Sequence, residues 1–154
     1  MNYTQAEIDL IAEEGLRLRV YRCTAGHPTI GVGHKLTPQE LKENLREVSL
    51  EWTGQTLHAD IALALGGCNM IFGRERFDRM TEPRQRTLMK MVFQLGTGGL
   101  SKFKKMIAAI MRDDWVAASR EALDSKWARS DSPARAKRAA EVLRTGMNYG
   151  EARR

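Results

Sequence analysis

No stretch of this chain approaches the roughly 18 uninterrupted apolar residues that a membrane span requires, so stable insertion into a bilayer is not expected. Its 154 residues hold only 4 prolines, with no repeat, low-complexity tract or linker, and the length suits one domain able to bury a real core. Aromatic residues make up only 6%, while 8 methionines and a hydrophobic fraction of 42% point to an aliphatic, helix-rich interior. The N-terminal residues Met1 to Glu7 lack the basic-then-apolar layout of a signal peptide, so synthesis in the cytoplasm is expected. Two cysteines, Cys23 and Cys68, are too few for a secreted disulfide framework, and reduced thiols are the default, with pairing left open.

Histidine is as sparse. Among His27, His34 and His58 no pair has metal-ligand spacing, and only Cys23 lies four residues from His27, so neither a metal nor another cofactor is expected. No Gly-x-Ser-x-Gly turn is present to carry a serine nucleophile. Positive charge, by contrast, is plentiful. A net charge of +6 and a pI near 9.6 favour a polyanionic partner, whether nucleic acid, an anionic wall polymer or a lipid surface, or simply make a soluble basic exterior.

Thr4-Gln5-Ala6-Glu7 has the form of a capping box, and Gly15 is placed to end the helix that follows, with Ile8 and Ile11 at helical spacing. Leu10 precedes Glu14 by one turn, so the carboxylate of Glu14 continues the apolar face. Residues 16 to 22 then alternate, and Cys23 shares the polar parity of Arg17, Arg19 and Tyr21. After a turn at Ala25-Gly26, Pro28 to Gly33 reads as a second strand with Thr29, Gly31 and Gly33 on an open face. Cys23 and Thr29 are expected to share that face, and Gly31 leaves it without bulk, as suits a chain-like ligand.

From Pro38 the pattern is helical. Leu57, Ile61, Ala64 and Leu65 mark a long helix expected to stop at Gly66-Gly67, beside which Cys68 reads as a small buried residue. Thr81 is placed to cap a helix through Leu95 that ends at Gly96-Thr97-Gly98-Gly99. Ser101 caps the next, Asp113 opens another through Trp115, and Ser132-Pro133 starts a last helix ending near Gly146. The Arg-rich end from Glu151 to Arg154 is expected to fray.

Glu14, Cys23 and Thr29 bring an acid, a thiol and a hydroxyl to one place, an arrangement suited to hydrolysis. Eight residues separate the first pair and five the second, and the flanks are Glu14-Gly15-Leu16-Arg17-Leu18 and Thr29-Ile30-Gly31-Val32-Gly33-His34. Further blocks follow in order: Met91-Val92-Phe93-Gln94-Leu95-Gly96, Trp115 with Trp127, Pro133-Ala134-Arg135-Ala136-Lys137-Arg138, and Arg144-Thr145-Gly146. Over nearly its whole length the chain resembles the phage T4 lysozyme family, glycoside hydrolase family 24, whose motif is Glu, eight residues, Asp or Cys, five residues, Thr.

The resemblance implies an α+β, lysozyme-like fold. A small hairpin lobe of about 14–60 and a helical lobe of about 61–150 with the N-terminal helix 4–14 would be joined by a long helix, with a cleft between them. It implies hydrolysis of the β-1,4 bond between N-acetylmuramic acid and N-acetylglucosamine in peptidoglycan, with Glu14 as general acid and Thr29 holding water. Cys23 stands where many relatives carry Asp. Arg135 would lie against the acid and His34 with Asp60 would form a structural ion pair. Lys35, Phe93 and Gln94 match substrate-contacting or cleft positions, and Met106 and Glu121 replace smaller polar residues at two others. The implied partner is peptidoglycan glycan, met by a monomer released through a separate pore or carried in the virion.

Other readings stay open: a lytic transglycosylase, or a wall-binding module without catalysis. Arg129, Arg135, Lys137, Arg138 and Arg144 also suit a helical nucleic-acid-binding domain. That reading explains neither the hairpin glycines nor the acid-thiol-hydroxyl spacing, so no nucleic-acid partner is expected.

Overall fold

In the computed structural model, which describes residues 1–151, the chain is α+β: eight α-helices and one π turn with a single three-stranded antiparallel sheet, a lysozyme-like arrangement. The arginines at 153 and 154, expected to fray, lie outside the described residues. Backbone contacts group Asn2–Leu63 into one unit and the residues from Ala64 onward, with Met1, into another.

In the first unit, helix α1 (Tyr3–Glu14) is capped by Asn2, whose side chain accepts from Gln5 N–H. The cap is thus Asn2 and not Thr4, because the helix begins earlier than the Thr4 signal suggested; asparagine is as good a cap. Ala6 and Leu10 are its buried residues, whereas Ile8 and Ile11 stay exposed. Gly15, at φ +76, ends it by donating to Ile11 O at 2.9 Å.

Strand β1 (Arg17–Arg22) pairs with β2 (Pro28–Gly31), and β2 pairs with β3 (His34–Lys35), so β2 is central. The expected strand to Gly33 is shorter than the pattern indicated. Gly31 and Gly33 both have positive φ, +64 and +66, and turn the chain back into β3. Nor is the face at Gly31 open: a Cβ there would lie 3.2 Å from Thr53 Cγ2 and 3.8 Å from Trp52. The outer edge of β1 is covered by residues 46–48, through Val20 N–H to Arg46 O and Val48 N–H to Leu18 O. Such pairing protects an edge that would otherwise present bare backbone groups.

Helix α2 (Pro38–Lys42) has a complete capping box of Thr37 and Glu40. Helix α3 runs from Leu50 to Phe72, straight through the glycine pair expected to stop it. Gly67 is there for packing: a Cβ would collide with Thr97 and Val92.

In the second unit, α4 (Arg74–Arg79) precedes α5 (Glu82–Ser101), which breaks at Gly96, φ +75, and resumes for a last turn. Thr81 precedes α5 without a side-chain cap bond, and Ser101 closes that last turn on Thr97 O at 2.8 Å instead of capping α6 (Lys104–Met111). Asp114, not Asp113, caps α7 (Trp115–Leu123), because Asp113 is the turn residue at φ +59. A π turn, Trp127–Asp131, leads to α8 (Pro133–Thr145), which ends at Gly146 in the left-handed region as expected. The core of this unit includes the fully buried Leu88, Met89, Leu100, Met106, Ile110 and Leu143. No helix among the described residues is long and apolar enough to cross a membrane.

Candidate active site

Glu14 is the last residue of α1, half-buried one turn beyond Leu10, which is 1% exposed. The turn between β2 and β3 presses against it: a Cβ at Gly33 would stand 3.1 Å from Glu14 Cγ and 3.3 Å from Oε2. Glycine is needed at 33 twice over, for its φ of +66 and for this approach.

Cys23 follows β1 and closes the narrow hairpin. Its N–H donates to His27 O at 3.0 Å, and its carbonyl accepts from Gly26 N–H at 2.8 Å. The thiol is free and partly exposed. Burial pushes it up, but the N–H groups of His27 and Ala25, the Thr29 hydroxyl and the charge of Lys35 outweigh that and hold it below the ordinary thiol value.

Thr29, in the central strand, is 1% exposed and not on an open face. The alternation misled because β2 has neighbours on both edges and everything from Thr29 through Val32 is buried. Its hydroxyl donates to His27 O at 2.9 Å, yet it is also among the groups that stabilise the Cys23 thiolate.

Tyr21 joins this group although its spacing gave no signal beyond strand parity. It is the cross-strand partner of Thr29, and the Arg17 guanidinium lies 4.5 Å from its ring centre. Burial raises its phenol, the charges of Glu14 and Cys23 add to the rise, and Arg17 opposes it. Lys35, exposed on β3, is the partner of Thr29 on the other side.

His34 and Asp60 meet as expected, Nδ1 to Oδ2 at 2.7 Å, but the pair is a triad: Nε2 lies 3.1 Å from Glu40 Oε2. Glu40 also accepts from the Thr37 N–H and hydroxyl at 2.8 and 2.9 Å, and the Trp52 ring meets His34 edge-on at 5.7 Å. The bond to Asp60 raises His34 to about 8 against the opposing effect of burial, with Glu40 assisting. For Glu40, burial acts upward, but the Thr37 N–H and His34 hold it below the usual carboxylate range. The Thr37-x-x-Glu40 spacing was the signal that would have found this third partner.

The remaining residues singled out from the sequence lie in the other unit. Phe93 and Gln94 are on α5, and both ends of the Gln94 amide are occupied: Oε1 accepts from Trp127 Nε1 at 3.2 Å and Nε2 donates to Ser132 Oγ at 2.7 Å. Gln94 thereby ties the π turn to the start of α8, whose first turns carry the half-buried Arg135. Met106 is 1% exposed and Glu121 half-buried in a groove of about 690 Å³, floored by Phe103 and Trp127 and rimmed by Lys104, Lys105 and Lys126. Cys68 is fully buried, and burial pushes its thiol up to about 12. Among the described residues no three His, Cys, Asp or Glu side chains converge as a metal site requires.

Comparison with known proteins gives a consistent picture. The family model described as phage lysozyme matches residues 12–143. The pre-baseplate central spike protein Gp5 of Enterobacteria phage T4 is 30% identical over 97% of this chain, which spans only 29% of that protein's length. Probable T4-type lysozyme 2 of Dictyostelium discoideum is 26% identical over 87% of this chain and 90% of its own, as is probable T4-type lysozyme 1 over the same shares.

Proposed function

The chain belongs to the phage lysozyme family, and on that premise we propose that it is a peptidoglycan hydrolase cleaving the β-1,4 bond between N-acetylmuramic acid and N-acetylglucosamine. Glu14 is the general acid: its proton goes to the glycosidic oxygen as the bond to the anomeric carbon breaks. Water attacks that carbon from the opposite face, oriented by the Thr29 hydroxyl, and yields its proton to the Cys23 thiolate. The product is a hydrated reducing end of inverted configuration. The observation that best supports this reading is the placement of an acid against the Gly33 turn, with a thiol of lowered pKa just after β1 and a hydroxyl on β2 of the same unit.

His34 and Asp60 have a structural part, fixing β3 to α3. Gly31 offers glycan only its backbone, since Thr53 and Trp52 take up its side-chain space. A net charge of +6 draws the protein to anionic envelope polymers, whether it acts at release or at entry.

The test is digestion of purified peptidoglycan by wild type and by Cys23→Ser, with mass spectrometry of the reducing ends. Hydrated muramic acid ends from wild type, much reduced in Cys23→Ser, are expected. Anhydro ends would replace the hydrolase with a transglycosylase, and absence of cleavage would leave a wall-binding module.

A further inference from the structure

Between β2 and β3 the chain turns at Gly31 and Gly33, and at Gly33 this turn comes against the Glu14 side chain. The next residue, His34, ties the turn to two helices: Nδ1 lies 2.7 Å from Asp60 Oδ2 on α3, and Nε2 lies 3.1 Å from Glu40 Oε2 on α2. A carboxylate only accepts, so both bonds exist together only while the ring carries two protons. Glu40 Oε2 is itself held in place, accepting from the Thr37 N–H at 2.8 Å and from its hydroxyl at 2.9 Å. One oxygen thus serves both the cap of α2 and the ring of His34. Around that ring the charged groups are Asp60 from α3, Glu40 from α2, Lys35 beside it on β3, and Glu14 of α1 against the neighbouring Gly33. Its partner on β2, Ile30, and the Trp52 ring of α3 are uncharged.

We propose that Glu40 is a positioning residue for Glu14: through the doubly protonated His34 ring it holds the Gly33 turn against the acid. When the ring gives up a proton, one nitrogen becomes an acceptor facing a carboxylate, and one of the two ties is lost. The longer bond, to Glu40, is the one released, since that oxygen keeps its two Thr37 donors. The turn then stays fixed to α3 but not to α2, and Gly33, with a glycine's backbone freedom, no longer confines the acid. Glu40 touches no reacting atom in this scheme, so its effect falls on turnover and not on glycan binding.

The inference rests on the proposed role of Glu14 only for its catalytic consequence, and its first test needs no turnover. The nuclear Overhauser effect between the Gly33 α-hydrogens and the Glu14 γ-hydrogens reports their approach in the intact protein. In wild type it is expected to weaken as pH climbs through the His34 midpoint of about 8. In Glu40→Gln the amide oxygen can still accept from Thr37, so α2 keeps its cap, but it brings no charge to the ring. The His34 midpoint and the loss of the Overhauser effect should therefore move together to lower pH, and in His34→Gln the alkaline loss should vanish. A Gly33–Glu14 signal that is constant through the His34 midpoint, or an alkaline loss that survives in His34→Gln, overturns the inference. On peptidoglycan at about pH 7.5, Glu40→Gln is expected to lower kcat roughly threefold with KM unchanged, because more rings have lost a proton. A kcat equal to wild type overturns the inference too, above all with a raised KM, which would make Glu40 a glycan contact. Coupled changes in a protein that cleaves no peptidoglycan would uphold the link from Glu40 to Glu14 and remove the hydrolase reading.

Discussion

The unit of residues 2–63 and the unit from Ala64 onward are held together by different physics. In the first, only Ala6, Leu10, Ile30, Val32, Leu57 and Ile61 are fully buried apolar side chains; all the others belong to the second. The first relies on short strands, glycines at positive φ and the polar triad of His34, Asp60 and Glu40. The second is packed like most protein interiors, around Leu88, Met89, Ile110 and Leu143, with even its buried Gln85 satisfied by three backbone carbonyls. On the proposed reading, chemistry and stability are separately addressable: the groups assigned to the reaction lie on the thin polar frame of the first unit, and the second supplies most of the buried apolar surface and with it the hydrophobic free energy.

The largest expected effects test that separation directly. With Glu14 as the proposed general acid, Glu14→Gln should lower peptidoglycan hydrolysis by roughly 10²–10⁴-fold, with a far smaller effect on stability than Leu88→Ala has. Leu88→Ala, at a site that is 0% exposed, should do the reverse, costing about 2–5 kcal/mol in denaturant unfolding while the fraction still folded keeps its turnover. Wild-type activity in Glu14→Gln would break the comparison from one side. Lost turnover in fully folded Leu88→Ala would break it from the other.

A smaller effect sharpens it. Gly33→Ala and Gly73→Ala place the same methyl at φ +66 and +78, and each should cost roughly 1–2 kcal/mol of backbone strain. At Gly73 nothing lies within 4 Å of the new Cβ, whereas at Gly33 the Glu14 carboxylate does. Both variants are therefore expected to lose stability, with activity lost only in Gly33→Ala, by about tenfold or more for a displaced acid. Matching activities in the two variants would show that the turn does not position Glu14.

How much of this was legible differs by the range of the interaction. The placement of Glu14, Cys23 and Thr29 was readable because their spacing is a local property of one helix end and one hairpin. Thr29's burial was not, because it depends on β3, a strand of two residues too short to carry a period. Gly66-Gly67 read as a stop, since backbone freedom is all that a lone glycine advertises. The reason for Gly67 lies in Val92 and Thr97, on another helix, and tertiary packing overrode propensity. Gln94 was expected at substrate, and its amide proves engaged by Trp127 and Ser132, partners separated from it by a π turn that no periodicity announces. Glu40 was the one avoidable omission, since its capping box with Thr37 is as plain as the one expected at Thr4, which did not form.

The smallest expected effect concerns the polar frame itself. His34 rises from an ordinary value of 6.5 to about 8 in the folded chain, so the folded state holds its proton more tightly than the unfolded state does. That stabilisation is fully present below pH 6.5 and is lost as pH climbs through about 8. Glu40 acts in the opposite sense: its folded value is depressed, so its contribution is present above the ordinary 4.5 and fades as pH falls through the lowered value. The triad is thus strongest between about 4.5 and 6.5, a window set by these two groups. With solvent reaching part of the ring, the loss from pH 6.5 to 8.5 should be about 1 kcal/mol. Thermal unfolding should show it as a falling midpoint in wild type and a flatter one in Asp60→Asn, which removes the partner that raises His34 most. If Asp60→Asn kept the full slope, the alkaline loss would have to originate outside the triad, and the polar frame would not be what sets the pH limit of this unit.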